Sequence, residues 1–340
     1  MQHEITQTVP LLDSRGQIIK PGWARRQLFE YNRSNIQAPR WRIKEWDYYC
    51  ILNDNAGISL TIADNGYMGF IAATVFDFDK PEEISGSLIT MFPLGKFKMP
   101  STSRTGNVIF ENKKVSMHFL RGRESRTIQL EFADFHNGQT LQGEITLKQP
   151  DSYESMVIAT PFPKNKHAFY YNQKINCMPA EGSLTLGNRI IEFSPEHSFG
   201  VLDWGRGVWT YKNTWYWGSA SGKIGDDLFG FNIGYGFGDT SAATENLLFF
   251  NGKVHKLDRV EFHIPTDSFL KPWTFSSNDG RFEMDFQPIL DRHSNTNLLL
   301  IKSNQHQVFG RFSGKAILDD GKDINLKDFL GFAEKVMNKW

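Results

Sequence analysis

The chain has 340 residues, 40% of them apolar and 22% charged, and lysine plus arginine equals aspartate plus glutamate at 38 each. That balance excludes an overall field of one sign drawing the protein onto nucleic acid or an anionic membrane, and no basic tail or RNA-binding signature is present. Aromatic residues make up 14%, with 28 Phe, which points to a β-rich chain with a bulky interior.

Two cysteines, Cys50 and Cys177, stand far apart in the chain. They cannot make a disulfide framework and fit a reducing compartment as single buried hydrophobes. The first residues lack a basic start followed by an apolar run, so no secretory signal is expected. No apolar run approaches the roughly twenty residues that span a bilayer. A cytoplasmic protein without an integral membrane segment is the expectation. The nine histidines show no paired metal spacing, so neither a metal nor a cofactor is expected.

In chain order, residues 1–40 read as an extended N-terminal arm rich in Pro, Gly and Arg, with one short helix near Arg25 to Asn32. From Trp41 the pattern changes to short strands separated by Asp-Asn and Asn-Gly turn signals. Ile58, Leu60 and Ile62 alternate with Ser59, Thr61 and Ala63, the period-two pattern of a half-buried strand. Within RWRIKEWDYY, Lys44, Glu45 and Asp47 sit among aromatics, which suggests charge inside the sheet as a salt-bridge network or a site lining. Turn residues recur about every 8 to 12 positions to the end, as in sandwiches and barrels. The last segment, LKDFLGFAEKVMNKW, reads as a helix because Leu326, Phe329, Leu330 and Phe332 make one apolar stripe.

Strands without alternating helices exclude a doubly wound fold. The expected fold is all-β, with two consecutive antiparallel barrels over 41–190 and 191–340 and a short C-terminal helix.

The segment FGVLDWGRGVWTYKNTWYWGSASG holds Trp204, Trp209, Trp215 and Trp217. Aromatic walls with glycine gaps and a few charges suit either an aromatic core or a pocket for an apolar ligand. The turn DWGRG sets Asp203 and Arg206 either side of Trp204, as a structural ion pair or as an acid tuned by a guanidinium. Trp215 and Trp217 share one face of their strand. From Phe229 to Gly238 the odd positions are bulky and the even ones are glycines around Asn232, leaving a cavity or a face packed closely by another backbone. Glu245 and Asn246 open the next strand; a buried Glu245 needs a partner, with Arg206 a candidate. His255, after the Asn251-Gly252 turn, is a structural donor or a further polar member.

The motifs LLDSRGQIIKPGWARRQLFEYNR, RWRIKEWDYYCI, LTIADNGYMG, FGVLDWGRGVW, WYWGSASG, SAATENLLFFNGKVHKL and FGRFSG resemble the bacterial family called domain of unknown function 2804, from about Leu11 to Trp340. More distantly the chain is similar to the lipocalin-like AttH and carotenoid hydratase group. That resemblance implies two lipocalin-like (calycin-like) barrels and a lipid- or isoprenoid-like ligand. In some members it implies acid-catalysed hydration or cyclisation. It transfers no catalytic residue.

The leading expectation is a protein binding a small apolar molecule near the interface of its barrels. Asp203 or Glu245 is expected as general acid and Arg206 as its tuner. Trp204, Trp209, Trp215, Trp217, Asn232, Asn246 and His255 are expected around the ligand. The competing expectation is a non-catalytic carrier with the same pocket.

Overall fold

The computed structural model describes residues 2–298 and 301–339. Alternating polarity and frequent turns produce two large antiparallel sheets, each curled into a half barrel, and apart from two single turns of 3-10 helix the described residues contain no helix. The first sheet runs from edge to edge through Glu82–Met91, Met68–Asp77, Ala56–Asp64, Ile43–Leu52, Phe199–Val208, Asn165–Leu186, Gln139–Lys148, Ser125–His136, Val115–Arg121 and Val108–Glu111. The second runs through Lys253–Lys256, Leu247–Phe250, Asp227–Tyr235, Lys212–Ile224, Asp323–Lys339, Ile301–Ile317, Phe282–Leu298, Trp273–Ser277 and Val260–His263. The chain passes between sheets between Val208 and Lys212, so the strand Phe199–Val208, grouped by the sequence with the second barrel, is hydrogen-bonded in the first.

Period-two alternation gives every strand at the joint two occupied faces. Tyr49, Ile51, Ile58, Leu60 and Ile62 fill the first half barrel. Phe231, Ile233, Phe275, Phe282 and Phe312 fill the second. A third cluster, including Tyr48, Phe76, Val201, Trp217, Phe309 and Phe332, packs the backs of the two sheets together. The longest first-sheet strand, Asn165–Leu186, stitches this joint. Its register shifts between Ile175 and Met178, and Cys177 takes a left-handed φ of 57°. At that bend Asn176 Nδ2 donates to Ser219 Oγ at 2.8 Å and to the Phe231 carbonyl at 3.1 Å.

The expected C-terminal helix is absent; Asp323–Lys339 is a strand. Its helical-looking stripe has a local cause. Asp328, at φ 53°, interrupts the pairing between Phe312↔Phe329 and Gly314↔Leu326. This bulge shifts the alternation, so that Leu326 and Ala333 face the second barrel while Phe332 faces the joint. Apolar residues on both faces, displaced by a bulge, reproduce helical spacing. The helix expected near Arg25 to Asn32 is also absent: Phe29–Glu30 pairs in parallel with Val9–Pro10, and only Arg33–Asn35 makes a 3-10 turn.

The face left bare by Gly230 and Gly234 is not open. A Cβ at Gly230 would stand 2.5 Å from Cys177 Sγ, and one at Gly234 would stand 3.2 Å from Glu245 Cδ. Close packing, not an empty barrel, explains the glycines.

The bulge makes a prediction opposite to that of a helix. Asp328→Gly should leave stability unchanged or raise it by up to about 1 kcal/mol by relieving the left-handed backbone, whereas Asp328→Val should cost about 1–2 kcal/mol. Urea unfolding of the two variants checks this, since glycine inside a helix would instead cost about 1 kcal/mol.

Candidate functional site

Between the backs of the two sheets lies a cavity of about 420 Å³. Its walls divide by chemistry. The first sheet contributes Trp46, Ala63, Met68, Phe70 and Ile89, and the crossover contributes Trp209. The second contributes Trp215 and Trp217 with a polar strip of Ser294, Ser303, Gln305, Gln307 and Asn338. Lys174, Asp203, Arg292 and Glu334 supply its charges.

The strand Phe199–Val208 positions two of these features. Asp203, on its joint-facing side, stands directly opposite Lys174 on the neighbouring strand. Lys174 Nζ is 2.8 Å from Asp203 Oδ2 and 3.8 Å from the centre of the Trp217 ring. Asn172 Nδ2 donates to Asp203 Oδ1 at 2.6 Å. Two residues on, Gly205 lies beneath the Trp46 ring, which occupies the space of any side chain there. The glycine thus makes room for a cavity wall. The sequence reads it as part of a turn.

The tryptophans form a continuous wall. Trp209 meets Trp46 and Trp215 edge to face at 5.2 and 5.6 Å, and Phe237 lies 5.0 Å from Trp215. Each second-sheet indole is anchored: Trp215 Nε1 donates to Glu334 Oε1 at 2.9 Å, and Trp217 Nε1 donates to Asn232 Oδ1 at 2.7 Å. Gln307 Nε2 donates to Glu334 Oε2 at 3.2 Å and to Tyr48 Oη at 3.1 Å.

Burial pushes the Glu334 carboxyl up to about 7, a rise that the Trp215 hydrogen bond and Lys174 oppose and Asp203 reinforces. Burial likewise pushes Glu245 up to about 6, with Lys174 opposing and Asp203 reinforcing. Glu245 Oε2 is buried without a hydrogen-bond partner. Three carboxyl groups therefore share the field of one buried ammonium, and two of them hold protons more tightly than an ordinary carboxylate.

The expected site residues separate into groups. Asp203, Trp209, Trp215 and Trp217 line the cavity. Asn232 orients Trp217 from behind and donates to the Glu245 carbonyl at 2.8 Å. Glu245 lies behind that wall, facing the fields of Lys174 and Lys256 and not Arg206. Asn246 pins backbone, accepting from Gly234 N at 2.7 Å and donating to the Asp258 carbonyl at 2.9 Å. His255 is directed at Asp319, whose N–H donates to its Nδ1 at 3.2 Å.

Asp203 and Arg206 are not a pair. DWGRG is strand, not turn, and three positions along a strand put the two on opposite faces. Arg206 is fully buried inside the first half barrel, its guanidinium 4.0 Å over Trp204. It donates to Asp47 Oδ1 at 3.1 Å and to the carbonyls of Trp46 at 2.8 Å and Pro100 at 2.9 Å. Glu45 joins this network through Tyr31 Oη at 2.7 Å and through Arg33. Trp204 packs there against Tyr31 and Tyr171, away from the cavity. Sequence pattern does not single out Lys174, Gln307 or Glu334, and Glu334 lies in the segment whose apolar stripe has helical spacing.

Comparison with known proteins agrees with this architecture. The chain matches the family model described as Domain of unknown function (DUF2804) over residues 2–340. It belongs to that family. No match is found among curated proteins. Among solved structures it is similar in fold to kievitone hydratase from Nectria haematococca, at 12% identity and a TM-score of 0.51 over 87% of this chain and 88% of that one. CghA, solved with Sch210972, gives 10% identity and a TM-score of 0.54 over 99% and 96%. A protein assigned as an AttH from Nitrosomonas europaea gives 11% and 0.52 over 90% and 96%.

The placement of Arg206 predicts a structural phenotype. Arg206→Met leaves the buried Asp47 without its guanidinium partner, while Glu45 keeps Arg33 and Tyr31, and should cost about 3–5 kcal/mol of stability. Chemical denaturation measures it, and where the variant still folds the cavity should keep its affinity for an apolar probe.

Proposed function

We propose that the cavity between the sheets binds a small apolar molecule of lipid or isoprenoid type and transfers a proton to it, as a hydratase, cyclase or isomerase would. The observation carrying this reading is a carboxyl, Glu334, held inside an aromatic cavity with its affinity for protons raised to the neutral range. A general acid works best when its pKa lies near the operating pH. Kievitone hydratase shares the fold, and its name supports hydration as the first activity to test.

In this reading protonated Glu334 delivers its proton to a substrate alkene or carbonyl oxygen and becomes the carboxylate. The positive charge left on the substrate faces the Trp215 and Trp217 rings, which stabilise a cation through their π-faces. In a hydration, water adds to the cation and loses a proton to the Glu334 carboxylate, so one water is consumed and the acid is regenerated. An isomerase or cyclase returns a substrate proton to the same carboxylate. Lys174 and Asp203 are positioning residues: the ammonium holds Trp217 in place and its field tunes Glu334. Glu245 is a second acid behind the wall. Arg206 has no part in the chemistry.

A second reading has its own support. Every Glu334 and Asp203 oxygen accepts a hydrogen bond or ion pair, as expected of a carrier whose charges only fix the pocket. Both readings suit a cytoplasmic protein with two buried free thiols, Cys50 and Cys177.

Turnover of apolar alkenes and enones in D2O separates the two. The enzyme reading predicts deuterium in the product, a rate highest below about pH 7 and falling as Glu334 ionises, and loss of at least about a hundredfold in Glu334→Gln. No deuterium uptake, with N-phenyl-1-naphthylamine still bound, establishes the carrier.

The same carboxyl makes a stability prediction. A Glu raised from 4.5 to about 7 stabilises the fold below pH 4.5, and that contribution is lost as pH rises through 7. Glu334→Gln should flatten this part of the stability–pH curve, as measured by denaturation at a series of pH values.

A further inference from the structure

At one end of the cavity the surface is both apolar and cationic. Five of the eleven large apolar or aromatic side chains exposed among the described residues gather there, Trp41, Ile89, Met91, Phe92 and Tyr211, and a sixth, Met337, flanks them one residue from the lining Asn338, on the other face of its strand. Ile89 lines the cavity itself, and Met91 stands in register opposite the lining residue Met68. The Phe92 N–H donates to the carbonyl of Tyr67, another lining residue, at 2.9 Å. The Trp41 carbonyl packs on Gly66, beside lining residue Asn65. Arg42 Nη2 donates to the Trp209 carbonyl at 2.6 Å, which brings the Trp41 segment beside Tyr211.

The same end collects cations. Lys212, Lys339 and Lys302 stand opposite one another across three neighbouring strands. Like charges so placed repel, and none of the three joins an ion pair among the described residues. The adjacent row, Asn213, Asn338 and Ser303, includes two cavity-lining residues and points to the other face of the sheet, so the lysines flank the end of the cavity wall and do not line it. Arg40, Lys96 and Lys98 are exposed at the same end. Segments 39–44, 65–68, 88–98, 209–214 and 335–339 contain no aspartate or glutamate. In a chain of zero formal net charge, the charges are therefore segregated.

We infer that this end docks on an anionic lipid surface, so that an apolar molecule passes between bilayer and cavity without crossing water. Exposed aromatics among lysines are the composition that lies in a headgroup layer, where apolar side chains enter the acyl boundary and cations meet phosphate. A clustered apolar patch around a cavity mouth marks an interaction surface. Nucleic acid would leave Ile89, Met91 and Met337 unrewarded. A two-fold pairing of copies would set the lysine row against itself. The use given to the surface rests on the cavity reading above; the docking does not.

Co-sedimentation with vesicles tests it. The protein should bind phosphatidylcholine vesicles containing about one third phosphatidylglycerol, ignore pure phosphatidylcholine, and be released by molar salt. The variant carrying Lys212→Gln, Lys302→Gln and Lys339→Gln should lose roughly a hundredfold in affinity with its melting temperature kept. Trp41→Ser with Phe92→Ser should weaken binding at least several-fold. Equal binding by the lysine variant would overturn the inference. So would an absence of sedimentation at low salt, retention on an oligonucleotide alone, or dimerisation in place of vesicle binding. N-phenyl-1-naphthylamine binding in lipid-free solution reads the cavity separately, so that failure of docking and failure of the cavity give different results.

Discussion

Lys174 is a buried ammonium at the joint of two sheets, and the site is organised around the need to neutralise it. A charge taken out of water is tolerated only with close opposite charge and hydrogen bonds. Asp203 provides both at 2.8 Å, and the Trp217 ring covers another side at 3.8 Å. One ammonium balances one carboxylate. Burial raises the Glu245 and Glu334 carboxyls to about 6 and about 7; Lys174 opposes that rise and the Asp203 carboxylate reinforces it. A carboxyl with raised proton affinity therefore stands beside the aromatic cavity, next to the ion pair that holds its wall.

This arrangement depends on the two faces of one strand. In Phe199–Val208, Trp204 and Arg206 point into the first half barrel, where the guanidinium meets Asp47 and three carbonyls. Val201, Asp203 and Gly205 point at the joint. The strand carries a structural charge network on one side and the candidate site on the other, separated by one backbone. Removing Arg206 and removing Asp203 are accordingly different experiments: the first leaves Asp47 unpaired inside the half barrel, the second leaves Lys174 unpaired at the cavity wall.

Much of the architecture was legible because its signals are local. Turn spacing and alternation indicate an all-β chain of antiparallel barrel-like sheets, and the parity of Trp215 and Trp217 puts both on one face. The failures have non-local causes. Glycines in DWGRG look like a turn, but Gly205 is needed because Trp46 from the adjacent strand lies over it. The bare face from Gly230 looks like a cavity, but Cys177 of the other sheet fills it. The bulge at Asp328 gives a strand the stripe of a helix and hides Glu334. Lys174 sits in an unremarkable run, YYNQKIN, and only the pairing of its strand with Phe199–Val208 makes it central.

Every functional step proposed above requires an apolar molecule in the space between the sheets. Ala63 lines that space on the first-sheet wall and is buried, so Ala63→Phe sets a ring into it and narrows it. Native mass spectrometry with solvent extraction of both proteins, purified from the same host, is the most direct measurement. An apolar molecule should be carried stoichiometrically by the wild-type protein and depleted in Ala63→Phe at an equal melting temperature. An empty wild-type protein, or the same molecule carried equally by both, would contradict it.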